Sequence, residues 1–88
     1  MHLRELFRRN GYVRRQNLVR VVNEGWGRYR KGEEVRLVAN SAQELRLVRQ
    51  LLRQAGFTPG RPFAKGQQYR QPVYGRQVVA RFLDLIGE

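Results

Sequence analysis

The side chains best equipped for chemistry in this chain are its guanidiniums. Eighteen residues are basic, 16 of them Arg, against 7 acidic ones, for a formal net charge of +11. Arg presents a planar fork of donors that fits a phosphate or a guanine edge, and the same plane stacks on bases. Such a charge on a short chain points to a polyanion partner, and to nucleic acid (DNA or RNA) ahead of a membrane surface or an acidic protein. The constellations that catalysis needs are thin. There is no Cys, so there is no disulfide, thiolate ligand or thiol nucleophile. The single His, His2, cannot build a histidine metal site or a dyad. Ser41 is the only Ser, and a helix cap accounts for it. Glu33 and Glu34 form the only acidic pair, but strand neighbours point to opposite faces. GYVRRQN and GRPFAKGQQ both lack the GxxxxGK[ST] phosphate-loop frame. No cofactor or metal is expected, and the chain reads as a binding protein and not an enzyme.

The elements that must position these cations announce themselves twice. Residues 29–36 read YRKGEEVR and residues 63–70 read FAKGQQYR, an offset of 34 positions. Ala39, Leu45, Val48, Leu51 and Leu52 then align with Val73, Val79, Phe82, Leu85 and Ile86. A repeat of this length predicts one supersecondary unit used twice. The unit reads as hairpin then helix. In the first copy, a strand near 27–30 turns at Lys31-Gly32 and returns over 34–39; a Lys-Gly turn suits a hairpin because Gly tolerates positive φ. Ser41-Ala-Gln-Glu44 is a capping box opening a helix that runs to Ala55. Its apolar stripe is Leu45, Val48, Leu52 and Ala55, widened by Leu51. Gly56 ends it, and Phe57 can pack back in a Schellman-type close. In the second copy, a strand near 61–64 turns at Lys65-Gly66 and returns over 68–73, with Pro72 pushing that strand toward an edge. The last helix follows Gly75, with Val78, Val79, Phe82, Leu83 and Ile86 as its core stripe.

Ahead of the repeat, residues 2–9 form a short helix with Leu3, Leu6 and Phe7 on one side. YVRRQN (12–17) reads as a basic connector, and LVRVV (18–22) as a strand or the end of a helix. The expected fold class is α+β: a four-stranded antiparallel sheet with helices packed on one face, two ββα units and a short N-terminal helix. The expected division is a basic helix and connector over 1–25 and a ββαββα nucleic-acid-binding domain over 26–88, within one domain overall. No apolar run approaches the ~20 residues that span a membrane, and no apolar stretch follows the Arg-rich start. The reading is a cytoplasmic protein with no membrane partner.

Strand alternation selects the working face. Val35, Leu37 and Ala39 should face the helices, with Tyr69 and Val73 as their equivalents; Gln71 breaks that pattern. The opposite face then carries Glu34, Arg36 and Val38, and Gln68, Arg70 and Pro72. With Tyr29 and Phe63 inward, Arg28 and Arg30 point outward, and Lys31 and Lys65 sit at the hairpin tips. The predicted nucleic-acid-binding set is therefore Arg14, Arg15, Arg28, Arg30, Lys31, Arg36, Lys65, Gln68 and Arg70. Arg46, Arg49 and Arg53 read as the solvated side of the middle helix. Trp26, Tyr29, Phe63, Tyr69 and Phe82 read as core, with Trp26 the best candidate to stack on a base. Tyr12 and Tyr74 are open. The pairs Arg8-Arg9 and Arg14-Arg15 suit either a phosphate-binding arm or a docking segment.

The order of elements from residue 26, carried by YRKGEEVRLVA, the SAQELRLVRQLLRQAG helix and the QQYRQPVYGRQVVARFLDLI ending, resembles half of a LAGLIDADG homing endonuclease. The resemblance implies an αββαββα unit that binds DNA through the sheet face away from its helices. In that family the defining helix ends in an acidic residue before Gly, and the carboxylate binds the catalytic metal where two half-domains meet. Glu24-Gly25 is the candidate here, with Arg20 falling inside the would-be interface helix, where an unpaired buried charge would be costly. The resemblance therefore favours a nucleic-acid-binding sheet over a nuclease. The expected function is a small basic protein gripping the phosphate backbone with an Arg-rich sheet face. The alternatives are a structural subunit of a ribonucleoprotein or effector complex, with a homodimer or protein partner at the N-terminal helix, and a compact metal-dependent endonuclease using Glu24.

Overall fold

The computed structural model describes residues 2–15 and 33–88. In chain order they form α1 (Leu3–Asn10), β1 (Tyr12–Arg14), β2 (Glu34–Ala39), α2 (Ala42–Gln54), β3 (Phe63–Lys65), β4 (Gln68–Tyr74) and α3 (Arg76–Ile86). The four strands make one antiparallel sheet in the order β1-β2-β4-β3. The described residues form an α+β fold, a four-stranded antiparallel sheet with three helices, the first of them short and N-terminal.

The inward face of the sheet is set by strand alternation. Val35, Leu37 and Ala39 of β2 and Val73 of β4 are buried, and they share one core with Leu3 and Leu6 of α1, Val48 and Leu52 of α2, and Val79, Phe82 and Ile86 of α3. Phe82 is the hub: the rings of Phe57 and Phe7 approach its centroid at 5.6 and 5.8 Å. Helix α1 is thus a core element, with Leu6 fully buried. The stripe expected to dock a partner, Leu3, Leu6 and Phe7, is turned onto the chain's own core, because a helix this short holds only by packing. Helix α1 and strand β1 precede residue 26 yet belong to the core and the sheet.

Both α2 caps follow the sequence. Ser41 Oγ accepts from the Glu44 amide at 3.0 Å, and Glu44 Oε1 accepts from the Asn40 amide at 3.1 Å. At the other end, Gly56 has φ 87°, the Phe57 amide bonds Leu52 O at 2.9 Å, and the Gly56 amide bonds Arg53 O at 3.0 Å, a Schellman close that seats Phe57 in the core. Ala55 is exposed and not part of the stripe.

Three features differ from expectation. Strand β1 arises from the stretch read as connector: Tyr12, Val13 and Arg14 pair with Arg36, Val35 and Glu34. With β4 on the other side of the same residues, both edges of 34–36 are taken. The expected outgoing strand near 27–30, the Lys31-Gly32 turn and Trp26 lie outside the described residues. Strand β4 is interior despite Pro72. The Pro72 carbonyl accepts from Gly60 on the β3 side, so its missing N–H also faces that side, beyond the end of β3. No bond to β2 is lost. Finally, Phe63 pairs with Arg70 and so lies exposed on the helix-free face. Strand β3 meets β4 in a register fixed by the Gly66 turn, and that register, not hydrophobicity, decides the side of Phe63.

Candidate nucleic-acid interface

Register places the helix-free side chains in rows. Arg14, Glu34 and Tyr74 form one row; Tyr12, Arg36 and Pro72 the next; Val38, Arg70 and Phe63 the third; Gln68 and Lys65 close the hairpin end. Five expected residues, Arg14, Arg36, Lys65, Gln68 and Arg70, therefore share one face. Arg15 lies just past β1 and pairs with Glu33 at 2.8 Å. Arg28, Arg30, Lys31 and Glu24 lie outside the described residues.

The centre of this face is cross-braced. Glu34 accepts two hydrogen bonds from Arg36, both 3.1 Å, and Arg14 stands 3.9 Å from the same carboxylate. Arg36 lies over the Phe63 ring, 5.0 Å from its centroid. The Tyr12 hydroxyl meets Arg36 and Arg70; burial pushes its pKa up, but those hydrogen bonds and charges outweigh burial and hold it below 10.0. Burial likewise opposes the charge on Arg36, and Tyr12 and Glu34 more than offset it, so its pKa is raised. Arg70 donates to Gln68 Oε1 at 3.2 Å, and Gln68 donates to Asn40 at 2.9 Å. Arg70 Nε is buried and has no partner among the described residues.

Access is uneven. Val38 is 2% exposed, Pro72 is fully buried, and the Arg36 side chain retains 15% exposure. The face is therefore open at its rims and closed at its centre. Arg14 and Lys65 are exposed, as is all of β3. Tyr12, left open in the sequence, and Phe63, expected inward, join this face, and Glu34 braces it through Arg36 and Arg14. Tyr12 was legible in one respect: it follows Asn10-Gly11, the stop of α1, where a strand can begin.

The remaining cations divide into braced and exposed. Arg9 bonds Glu44 and the Val38 carbonyl, and Arg8 bonds Glu88 at 2.8 Å, so this pair staples α1 to its neighbours and is not a loose arm. Arg49 is not on a solvated side: it donates to Gly60 O at 3.0 Å and to the buried Gln71 at 2.7 Å. Arg46 and Arg53 are exposed, as expected. Among the described residues no cluster of His, Cys, Asp and Glu could hold a metal, and no helix is long and apolar enough to cross a membrane. Comparison with protein-family models, curated proteins and solved structures gives no match to this chain.

Proposed function

We propose that this chain is a small, cytoplasmic, non-enzymatic nucleic-acid-binding protein that grips the phosphate backbone with the cationic face of its sheet. The observation that carries the reading is the convergence of Arg14, Arg36, Arg70 and Lys65 on the helix-free side of a chain with net charge +11. Only Glu34 opposes them there among the described residues. Arg36 and Arg70 act as the braced interior of the face, while Arg14 and Lys65 at its rims meet phosphates directly. Phosphate contacts of this kind fix position and supply affinity without reading sequence.

Among the described residues, the elements follow the order α1-β1-β2-α2-β3-β4-α3, which is compatible with the LAGLIDADG-like resemblance as a matter of topology. The helix before the first strand is α1, and it ends in Asn10-Gly11. Glu24, the expected counterpart of that family's metal-binding carboxylate, lies outside the described residues; Arg20, inside the would-be interface helix in the sequence, is what favours binding over cleavage.

Charge reversal tests the face. Arg14→Glu with Lys65→Glu and Arg46→Glu with Arg53→Glu change the net charge equally, and all four side chains are exposed. The sheet pair should weaken binding to an oligonucleotide more, and should reduce the salt slope by about 1 for each phosphate no longer held. A larger effect from the helix pair would move the interface to the helical layer.

A further inference from the structure

Among the described residues, Phe63 is the one large aromatic that the sheet leaves open. It lies on the edge strand β3, on the same side as Arg36, Arg70 and Lys65, and is 37% exposed. Its surroundings are not those of a core residue out of place. The Arg36 guanidinium sits 5.0 Å from the ring centroid, and Glu34 holds that guanidinium through two hydrogen bonds. The ring is thus backed by a fixed cation and keeps solvent-exposed surface. Exposed cations bracket it in the chain, Arg61 two residues before and Lys65 two residues after. Within β3 the step from Phe63 to Lys65 spans roughly 6.5 Å, a reach comparable with one nucleotide, and Arg61 lies just ahead of the strand.

Resting on the nucleic-acid reading above, we infer that Phe63 is a stacking platform for an unpaired base, so that the ligand is single-stranded nucleic acid with its phosphates held by Arg61 and Lys65. In a duplex both faces of a base are covered by its neighbours, and only its edges are offered. An aromatic plane can be used only by a base that is out of the stack. Every base has a π-face, so the platform is tolerant of sequence, and it does not sense the 2′-hydroxyl; DNA and RNA strands share the chemistry. Arg36 strengthens the platform from behind by adding cation–π attraction to the assembly.

The test is fluorescence anisotropy with labelled dT12, U12 and a 12-base-pair DNA duplex, using the full chain, Phe63→Leu, Phe63→Ala and Phe63→Trp. Leu keeps apolar bulk without a π-face, and circular dichroism checks that each variant folds. Phe63→Ala should weaken both single strands on the order of 5- to 100-fold and leave the duplex unchanged. Phe63→Leu should show most of that loss, and Phe63→Trp should retain binding, with its added fluorescence quenched by dT12. Single-strand binding that survives in folded Phe63→Leu and Phe63→Ala overturns the inference. So does an equal loss on duplex and single strands. If the unaltered chain binds the duplex and Phe63 is indifferent, this inference falls and the broader reading stands; if it binds none of the three at low salt, both fall.

Discussion

Gln71 Oε1 accepts a 2.7 Å hydrogen bond from Arg49 Nη1, and its Nε2 donates to the carbonyls of Gly60 and Pro72, each at 2.8 Å. The amide points to the helix side of the sheet and is fully buried. It ties α2, the loop before β3 and β4 together where an apolar residue would have been expected. Gln71→Leu matches the volume but removes three hydrogen bonds, leaving Arg49 only its bond to Gly60 O and the Pro72 carbonyl only its bond from the Gly60 amide. It should cost about 1–3 kcal/mol, read as a lower urea midpoint at unchanged m-value. A neutral substitution would mean that water or Arg49 alone satisfies the site.

Helix α1 completes the core. Leu6→Ala should destabilise by about 2–5 kcal/mol, measured by chemical denaturation. Deleting residues 1–11 should abolish the cooperative transition, because it removes Leu3, Leu6 and the Phe7 ring that packs on Phe82. A truncated chain that still melts cooperatively would show the helix to be an accessory.

The β3–β4 hairpin closes with Lys65 opposite Gln68, and Gly66 sits at φ 62°. Nothing crowds a Cβ there; the conformation itself disfavours a branched side chain. Gly66→Val should cost about 1–3 kcal/mol, whereas Lys65→Ala should leave stability nearly unchanged and reduce nucleic-acid affinity. Equal melting temperatures for Gly66→Val and the unaltered chain would contradict the turn.

Glu44 links stability to pH. Its hydrogen bond from Arg9 comes first; burial opposes it, and the Asn40 amide and the Arg9 charge add to it, so its pKa lies below 4.5. A depressed carboxylate stabilises the fold above its unfolded pKa and loses that contribution as pH falls through the folded value. Glu44→Gln should therefore cost about 1 kcal/mol at pH 7 and progressively less toward pH 3. A cost independent of pH would show that the charge is irrelevant to the cap.

Much of the fold was legible because its signals are local. The Ser41 cap, the Gly56–Phe57 close and the alternation of Val35, Leu37 and Ala39 each lie within a few residues of the element they define. The pairing of β1 with β2 was not legible. Three residues, Tyr12–Arg14, carry too little periodicity to announce a strand, and their partners lie far along the chain, at Glu34–Arg36. The placement of Phe63 failed for the opposite reason: an aromatic was assigned inward by type, whereas register with Arg70 puts it outward. Gln71 and Arg49 show a third limit. A buried amide needs partners from two other segments, and no single stretch of sequence displays all three. The cationic face was legible in Arg14, Arg36, Arg70 and Lys65, but not the closure of its centre, which depends on Glu34 and Tyr12 meeting Arg36.

The central claim is that phosphate neutralisation drives binding, and a salt titration tests it most directly. The affinity of the full chain for a labelled oligonucleotide would be measured by anisotropy across a series of NaCl concentrations. For ~4–6 neutralised phosphates, log K should fall linearly with log[salt], with a slope of about −4 to −5 on duplex DNA and about −3 to −4 on a single strand. A flat response, or no binding at low salt, would contradict the claim.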